Sequence, residues 1–268
     1  MPSPDHPKAV LVTGGARRLG REFCLAFARA GWRVVCHYQH SSDEALQTCA
    51  AVRALGQEAH ALPGDLDTPQ AVATLFAAAT AALGAAPDAI VNNASVFEPD
   101  SGTDFSPALL QRQMQVNLAA PLQLGALLAQ ATPPARAPVV LHVLDQKVFN
   151  LNPDYFSYTL SKLALERAVA LQAQALAPRV RVCGIAPGLL YPSGPQSADN
   201  FQRASRVNLL QGAIDPADVA RTGVFLAENA SITGITVAVD KGQHLVPLAR
   251  DIMFVAEQLG PGAAGATP

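Results

Sequence analysis

The sequence carries little net charge and few charged side chains. Asp and Glu number 21 against 19 Lys and Arg, so the formal net charge is −2, and only 15% of residues are charged. Such a chain generates no global field that would attract nucleic acid or an anionic lipid surface. We therefore expect a protein with neither a nucleic-acid partner nor a membrane partner.

Cysteine is also scarce. The four cysteines, Cys24, Cys36, Cys49 and Cys183, form no CxxC pair and no Cys/His spacing typical of a metal site. Cys24 and Cys36 lie within hydrophobic runs, which predicts buried thiols. The cysteine pattern predicts no metal centre and a reducing, cytoplasmic compartment.

Long apolar runs are missing as well. The first residues, MPSPDHPKAVLV, lack a basic stretch followed by a long apolar run, so we expect no signal peptide. No uninterrupted apolar stretch is long enough to span a bilayer. With 268 residues, half of them hydrophobic, the chain suits one α/β domain with a large core.

The chain does have a regular alternation of short apolar runs and helical patterns. Predicted strands cover residues 8–13, 33–37, 58–62, 89–92, 138–144, 179–185 and 235–239. Predicted helices cover residues 18–29, 44–55, 69–83, 106–131, 155–176 and 215–227. This alternation predicts an α/β fold with a single Rossmann-type domain, a doubly wound parallel sheet with helices on both faces.

The predicted domain boundaries lie close to the two ends of the chain. Residues 1–7 are expected to be a flexible N-terminus, and residues 8–259 the domain. The stretch GPGAAGATP at 260–268 is small and flexible in character and predicts a disordered tail. Within the domain, residues 189–211 have little motif content, with weak helical character from 196, and are expected to form the loop that covers a substrate.

The stretch TGGARRLG at residues 13–20 lies between the first strand and the first helix. Backbone N–H groups and the helix dipole at such a junction favour an anion. A lone glycine pattern also marks ordinary turns, but this position favours dinucleotide binding. Arg18 is unusual, because a glycine normally stands in the middle of such a loop.

The end of the second strand discriminates between cofactors. The run from His37 to Ser42 has donor side chains and no acid, whereas an NAD site usually has Asp or Glu there. We therefore favour NADP(H), with Arg17 adding charge for the 2′-phosphate; the alternative is a polar loop that binds nothing. Asp65, at the end of the third strand, is placed to meet the adenine amino group or, alternatively, to cap the next helix.

Tyr158 and Lys162 lie one helical turn apart and so share a helix face. A neighbouring cation stabilises a phenolate and lowers a tyrosine pKa that is normally about 10. Tyr158 would then be a proton donor near neutral pH. Such pairs also occur by chance on exposed helices, but this one follows the fifth strand of a chain with a dinucleotide loop.

With these motifs the chain, from about residue 8 to 243, resembles the short-chain dehydrogenase/reductase family. The resemblance includes the glycine loop, Asn92-Asn93-Ala94 after the fourth strand, and Pro187-Gly188 after the sixth. It implies that Tyr158 is the proton donor, that Lys162 binds the nicotinamide ribose and tunes the tyrosine, and that Asn117 holds a water in the proton relay.

Three departures from the common family pattern resemble the pteridine reductase branch, which includes bacterial dihydromonapterin reductases. Arg18 replaces the loop glycine, Asp145 replaces the family's serine, and Ser95 with Phe97 completes an NNAS-x-F run. The resemblance implies an NADPH-dependent oxidoreductase acting on CH–NH groups, whose small-molecule substrate is a pterin. It also implies a homotetramer, in which the last strand and residues 245–259 pack between subunits.

Each departure has a chemical interpretation and an alternative. A guanidinium at Arg18 can bind both pterin acceptor atoms and a cofactor phosphate. Phe97 would stack on the flat pterin, or be a core aromatic near a loop. Asp145 would orient or supply a proton to a ring nitrogen, or only cap the turn after its strand. A general carbonyl reductase with a drifted serine and a non-catalytic NADP(H)-binding protein are the remaining alternatives.

Three sets of residues make up the predicted site. The predicted catalytic residues are Asp145, Tyr158, Lys162 and Asn117. The predicted substrate-binding residues are Arg18, Ser95, Phe97, Asp145, Tyr158 and Leu189. The predicted cofactor-binding residues are Gly14, Arg17, Arg18, Leu19, Gly20, His37, Tyr38, His40, Ser41, Asp65, Leu66, Asn93, Ala94, Ser95, Tyr158, Lys162, Pro187 and Gly188.

Overall fold

The sheet has seven parallel strands in the order β3-β2-β1-β4-β5-β6-β7. The computed structural model describes residues 7–133, 136–194 and 196–258. The strands are β1 Ala9–Val12, β2 Arg33–Tyr38, β3 Ala59–Pro63, β4 Ala89–Asn92, β5 Val139–Val143, β6 Arg181–Pro187 and β7 Thr236–Val239. Every residue of β1, β4 and β5 is buried, because helices cover both faces of a parallel sheet.

Helices alternate with the strands. They are α1 Arg18–Arg29, α2 Ser42–Ala54, α3 Pro69–Leu83, α4 Pro107–Met114, α5 Ala120–Ala131, α6 Phe156–Leu176, α7 Ala198–Ala204, α8 Pro216–Glu228 and α9 Ile252–Gln258. Three of them, α3, α4 and α8, start at a proline that follows a capping Thr68, Ser106 or Asp215. Proline fits the first helical position because its missing N–H would have no helical partner there.

Two hydrophobic layers enclose the sheet. On one face Phe23 and Phe27 of α1 pack with residues of α2 and α8, and on the other Leu124 and Leu128 of α5 pack with α3 and α6. The predicted doubly wound architecture is confirmed. Because the strand order reverses between β1 and β4, the sheet opens a crevice at the carboxyl ends of those strands, where ligands bind in such folds.

A third, small cluster lies apart from the sheet layers. Ala204 of α7 packs against Ile252 and Ala256 of α9. Ile252 and Ala256 therefore bury apolar surface within their own chain, while the packing of residues 245–259 between subunits stays a prediction. This pairing brings the C-terminal segment back toward the carboxyl ends of the strands.

The predicted helix over 106–131 is divided in the structure. A π-helical turn, Gln115–Ala119, joins α4 to α5 and carries Asn117. Directly after it, Pro121 has no N–H to donate to the Asn117 carbonyl four residues back, so one α-helical hydrogen bond is missing there. The turn is a structural feature that helical periodicity alone did not reveal.

Several other expectations can be compared with the described part of the chain. All four cysteines are buried free thiols, as predicted for Cys24 and Cys36. No helix in the described ranges has the length and apolar character needed to cross a membrane. Those ranges also contain no group of three or more His, Cys, Asp and Glu side chains that could hold a metal ion. The predicted tail and, apart from Pro7, the predicted flexible N-terminus lie outside the described residues.

Candidate active site

A cleft of about 540 Å³ opens at the carboxyl ends of the strands. Every residue predicted for the site except Asn117 lines it, from the glycine loop at one end to Leu189 at the other. The topology therefore joins residues that lie far apart in the sequence into one site.

The glycine loop is held by its neighbours at close range. The Gly14 N–H donates to His37 Nδ1 at 3.1 Å, and the Asn93 side chain donates to the carbonyls of Thr13 and Gly14, each at 3.1 Å. A Cβ atom on Gly20 would overlap the Gly14 carbonyl oxygen. Only glycine therefore allows the first turn of α1 to pack this closely on the loop.

The start of α1 fits an anionic group. Its N-cap residue, Arg17, makes no side-chain hydrogen bond to the first turn, which leaves helical N–H groups available at the cleft. Arg17 is exposed and lies 3.7 Å from Glu44. Free N–H groups at a helix N-terminus, beside a mobile cation, are what a pyrophosphate requires.

Arg18 adopts a backbone conformation that favours glycine. Its φ is +49°, in the left-handed region, which accounts for the glycine usual at this position. Its guanidinium carbon lies 5.7 Å from the centre of the Tyr191 ring. Arg18 therefore reaches toward the predicted substrate loop, and Tyr191 is a contact that sequence reasoning missed.

His37 occupies a different place from the one predicted. Its side chain is only 2% exposed; Nδ1 accepts from Gly14, and Nε2 lies 3.3 Å from the Gly64 carbonyl. Burial lowers the pKa of His37 to about 4. Both ring nitrogens have partners and the ring is neutral at physiological pH, so His37 has no free donor for a cofactor phosphate; another contact of His37 with the cofactor stays a prediction. Its role is to support the glycine loop.

The other predicted cofactor-binding residues at the ends of β2 and β3 also line the cleft. Tyr38 is half-buried against the core, Ser41 is also half-buried, and His40 is exposed. Asp65 accepts from the backbone N–H of Asp67 and from Gln39, each at 3.0 Å. The alternative that Asp65 caps α3 is wrong, since Thr68 does so. A contact of Asp65 with adenine stays a prediction.

The catalytic candidates meet at the end of β5. The Tyr158 hydroxyl donates to Asp145 Oδ2 at 2.9 Å, and the other carboxyl oxygen of Asp145 accepts from the Lys147 backbone N–H, also at 2.9 Å. Asp145 thereby caps the short 3₁₀ turn Gln146–Val148 as well. The cap is confirmed, but Asp145 does not only cap, because its second oxygen meets Tyr158; its supply of a proton to a ring nitrogen stays a prediction.

The electrostatics of this pair differ from the prediction. Burial raises the pKa of Asp145, and burial together with the Asp145 carboxyl raises the pKa of Tyr158 well above its ordinary value. Lys162 donates to the Val143 carbonyl at 2.8 Å, and burial lowers its pKa to about 8. The net pKa of Tyr158 is therefore raised and not lowered, because burial and the neighbouring carboxyl dominate; that Lys162 tunes the tyrosine stays a prediction.

Asn117 lies behind the cleft. Its side chain accepts from the Val96 N–H at 2.8 Å and from the Ser95 hydroxyl at 3.1 Å, and it donates to the Val96 carbonyl and the Ser161 hydroxyl at 3.0 Å. These four bonds tie the loop after β4 to α6. The predicted role of Asn117 in a proton relay stays a prediction, since the side chain itself is fully hydrogen-bonded.

Phe97 lies beside the catalytic pair. It is 38% exposed, so the alternative that it is a core aromatic is wrong. Its ring stacks on Tyr155 with centroids 4.2 Å apart and meets Tyr158 edge-on at 4.7 Å. An exposed aromatic ring therefore lies next to the candidate proton donor.

Sequence reasoning missed a group of cleft residues from the C-terminal part of the chain and from the turn after β5. They are Lys147, Gln243, Asp251 and Ile252; Leu190, Tyr191 and Ser193, which also line the cleft, lie in the predicted substrate loop. Lys147 was within reach of sequence analysis, because it lies two residues after Asp145. Asp251 carried no signal, since neither periodicity nor a motif links it to the fifth strand.

Comparison with known proteins places the chain among oxidoreductases. A family model described as enoyl-(acyl carrier protein) reductase matches residues 14–244, well over half of the chain. A dihydromonapterin reductase of Citrobacter koseri is 28% identical over 246 residues, which cover 90% of this chain and 98% of that protein.

Solved structures agree at the level of the fold and the sequence. FolM alternative dihydrofolate reductase 1 from Brucella canis, complexed with NADP, is 39% identical with a TM-score of 0.86, covering 91% of this chain and 97% of that one. The angucycline C-6 ketoreductase LanV with bound NADP is 26% identical with a TM-score of 0.81, covering 89% and 96%.

Proposed function

The chain belongs to the short-chain dehydrogenase/reductase family as an NADP(H)-dependent oxidoreductase, and we propose that its substrates are pterins of the biopterin, dihydrobiopterin, dihydromonapterin or dihydrofolate type. The reaction would be hydride transfer to a ring C=N bond. The observation that carries this proposal is the 2.9 Å hydrogen bond from the Tyr158 hydroxyl to the buried Asp145 carboxyl.

The residues at the β1–β3 end of the cleft suit the cofactor. The loop from Gly14 to Gly20 and the free N–H groups of α1 would hold the pyrophosphate, and Arg17, with His40 and Ser41, the 2′-phosphate. Lys162 would hold the nicotinamide ribose. Bound NADPH supplies the hydride from C4 of its nicotinamide; the protein supplies position and protons.

Asp145 suits the reduction of a C=N bond. Such a reduction needs a proton on the nitrogen next to the carbon that accepts the hydride. Burial raises the pKa of Tyr158, which keeps its phenol protonated, and burial also raises the pKa of Asp145, which makes that carboxyl easier to protonate. A proton taken from Tyr158 by the ring nitrogen can be replaced from Asp145 across one hydrogen bond.

Two further side chains suit a flat, acceptor-rich ring. Phe97 offers an exposed aromatic surface next to Tyr158. Arg18 extends from the glycine loop toward Tyr191, where its guanidinium can reach the carbonyl and ring-nitrogen acceptors of a pterin. Ser95 and Leu189 complete the expected substrate contacts.

The relatives support two candidates. The FolM dihydrofolate reductase and the dihydromonapterin reductase favour a pterin, whereas the LanV likeness favours general carbonyl reduction. Asp145 supports the pterin, because a ketone needs only a hydroxyl donor at its oxygen. The complete Tyr158 and Lys162 pair argues against a protein that binds NADP(H) without turnover.

The test is NADPH oxidation with dihydrobiopterin, dihydromonapterin, dihydrofolate and a simple ketone in parallel. Selective oxidation with one or more pterins is the expected result. Asp145→Ser is the matched variant, because it restores the family's usual hydroxyl; it should lose pterin turnover and not ketone turnover. Turnover of the ketone alone by the unmodified protein would reject the proposal.

A homotetramer is part of the same proposal. Ile235 before β7 and Leu245 after it are 45% and 61% exposed, which supports an interface along this edge of the sheet. Light scattering on the purified protein should give four times the chain mass. A monomer at micromolar concentration would contradict it.

A further inference from the structure

We propose that the ion pair between buried Lys147 and partly buried Asp251 is a positioning device that holds the Asp145 carboxyl against Tyr158 and sets the charge around it. The inference rests on the proposed function, in which Asp145 supplies protons to Tyr158. Neither Lys147 nor Asp251 belongs to the motifs that the sequence analysis singled out.

Lys147 is held on all sides. Its backbone N–H donates to Asp145, and its side chain is only 4% exposed. The ammonium group contacts Asp251 Oδ2 at 2.9 Å, Asn152 Oδ1 at 2.9 Å and the Asp154 carbonyl at 3.1 Å. An ammonium has three N–H donors, so each has an acceptor and the side chain has one favoured position. The turn that presents the Lys147 N–H to Asp145 is therefore fixed from both ends.

Asp251 comes from the segment that leads into α9, and it is anchored independently. Its backbone N–H donates to the Asp154 carboxylate at 2.7 Å, and that carboxylate also accepts from Arg250 Nε at 2.8 Å. Its own Oδ1 accepts from the Met253 N–H at 3.1 Å. The carboxylate is thus positioned by the C-terminal segment and not by Lys147 alone.

Four ionisable groups face Asp145 from the elements packed around it. Tyr158 and Lys162 come from α6, Lys147 from the turn after β5, and Asp251 from the C-terminal segment. Burial is the main influence and raises the pKa of Asp145; the Lys147 charge lowers it, and the Asp251 charge raises it. The two members of the ion pair therefore act on Asp145 in opposite directions.

Stability alone does not account for this pair. A buried ion pair contributes little net stability, because the cost of removing two charges from water offsets their attraction. A lysine placed only for packing would not need its backbone N–H on Asp145 and its ammonium on a pocket carboxylate. The arrangement links the reacting pair to a segment about a hundred residues further along the chain.

The experiment uses Lys147→Met and Asp251→Asn in the full-length protein. The protonation midpoint of Asp145 is followed by NMR of ¹³C-labelled aspartate carboxyls, with Asp145→Asn assigning the resonance. We expect the midpoint to move to higher pH in Lys147→Met and to lower pH in Asp251→Asn, and to return toward the unmodified value in the double variant. A purely structural role would not produce opposite shifts.

Turnover provides the second readout. Lys147→Met should lower kcat for pterins by roughly 10-fold to 100-fold, because Asp145 is displaced from Tyr158. Lys147→Arg, which keeps the charge, should recover a large part of it. Arg136→Gln is the matched control: it breaks the partly buried pair with Asp88 at the amino ends of the strands, and it should leave the Asp145 midpoint unchanged.

The outcomes separate this inference from the proposed function. The inference would be overturned if the protonation midpoint of Asp145 stayed unchanged in the two single variants, or moved in the same direction in both, even if the protein reduces pterins. Opposite midpoint shifts in a protein that reduces no pterin would retain the ion pair's control of Asp145 and reject the pterin function. If Lys147→Met does not fold, Asp251→Asn decides: a shift to lower pH supports the inference, and no shift overturns it.

Discussion

Different kinds of interaction hold the residues at the two ends of the cleft. At the β1–β3 end, neutral groups meet at short range: Gly14 donates to a neutral His37, Asn93 binds loop carbonyls, and Gly20 packs against the loop. At the β5 end, buried ionisable groups meet: Asp145 with Tyr158, and Lys147 with Asp251.

The difference teaches what each end requires. A binding end works when its N–H groups are held rigid and remain available, and titration there would only weaken it. An end that moves protons needs groups whose pKa values lie away from their ordinary range, and burial with charged neighbours is the means of shifting them. The neutral His37 and the perturbed Asp145 express these two requirements.

The largest effect should come from removing the reacting hydroxyl alone. Tyr158→Phe deletes the donor to Asp145 and should lower turnover by roughly 10²-fold to 10⁴-fold, the range for a general acid. NADPH affinity, measured by fluorescence titration, should stay within about twofold, because the β1–β3 end is untouched. Turnover close to that of the unmodified protein would show that Tyr158 is not the proton donor. The contrast between a binding end and a proton-transfer end of the cleft would then be wrong.

Acid should weaken the fold through its buried neutral histidines. Burial lowers the pKa of His37 and of His142 to about 4, from ordinary values near 6.5. The unfolded chain therefore binds more protons between pH 6.5 and pH 4, so this stability is present above 6.5 and is lost as the pH falls toward 4. Each histidine contributes a slope of up to about 1.4 kcal/mol per pH unit.

Urea unfolding at pH 7, 6 and 5 measures this slope. NADPH affinity should not change through protonation of His37 above about pH 5.5, because this ring stays neutral there. The end of the cleft that contains Asp145 is expected to behave differently. A free energy of unfolding that is constant from pH 7 to pH 5 would contradict the neutral-histidine assignment.

Gly20→Ala tests the close packing of the binding end. The added Cβ would overlap the Gly14 carbonyl oxygen, so the free energy of unfolding should fall by about 1–3 kcal/mol, and NADPH affinity should fall with it. Gly102→Ala is the matched control, because its Cβ would meet only Phe156 carbons at 3.6 Å, an ordinary contact. Equal effects of the two changes in urea unfolding would show that the packing argument is wrong.

The smallest effect on stability is expected for a change at Arg18, which extends from the glycine loop toward Tyr191. Arg18→Gly relieves a left-handed backbone conformation, so the free energy of unfolding should stay constant or rise by up to about 1 kcal/mol. The same change removes the guanidinium from the Tyr191 end of the cleft. The KM for pterin should rise more than the KM for NADPH; an unchanged pterin KM would separate Arg18 from the substrate.

Most of the fold followed from local patterns. The predicted strands and helices agree with the structure to within about two residues at most ends, because burial on both faces gives short apolar runs and glycines end the helices. The π-helical turn at Asn117 escaped prediction, since the sequence around it keeps an otherwise helical pattern.

The sequence by itself determined the strand–loop–helix that presents the glycine loop, the spacing of Tyr158 and Lys162, and the substitution of Asp145 for serine. Each depends on residues near one another in the chain. Only the tertiary structure decided that His37 is neutral, that the net pKa of Tyr158 is raised, and that Asp251 reaches Lys147. Burial and Coulomb interactions depend on which groups folding brings together, and no spacing in the sequence records that.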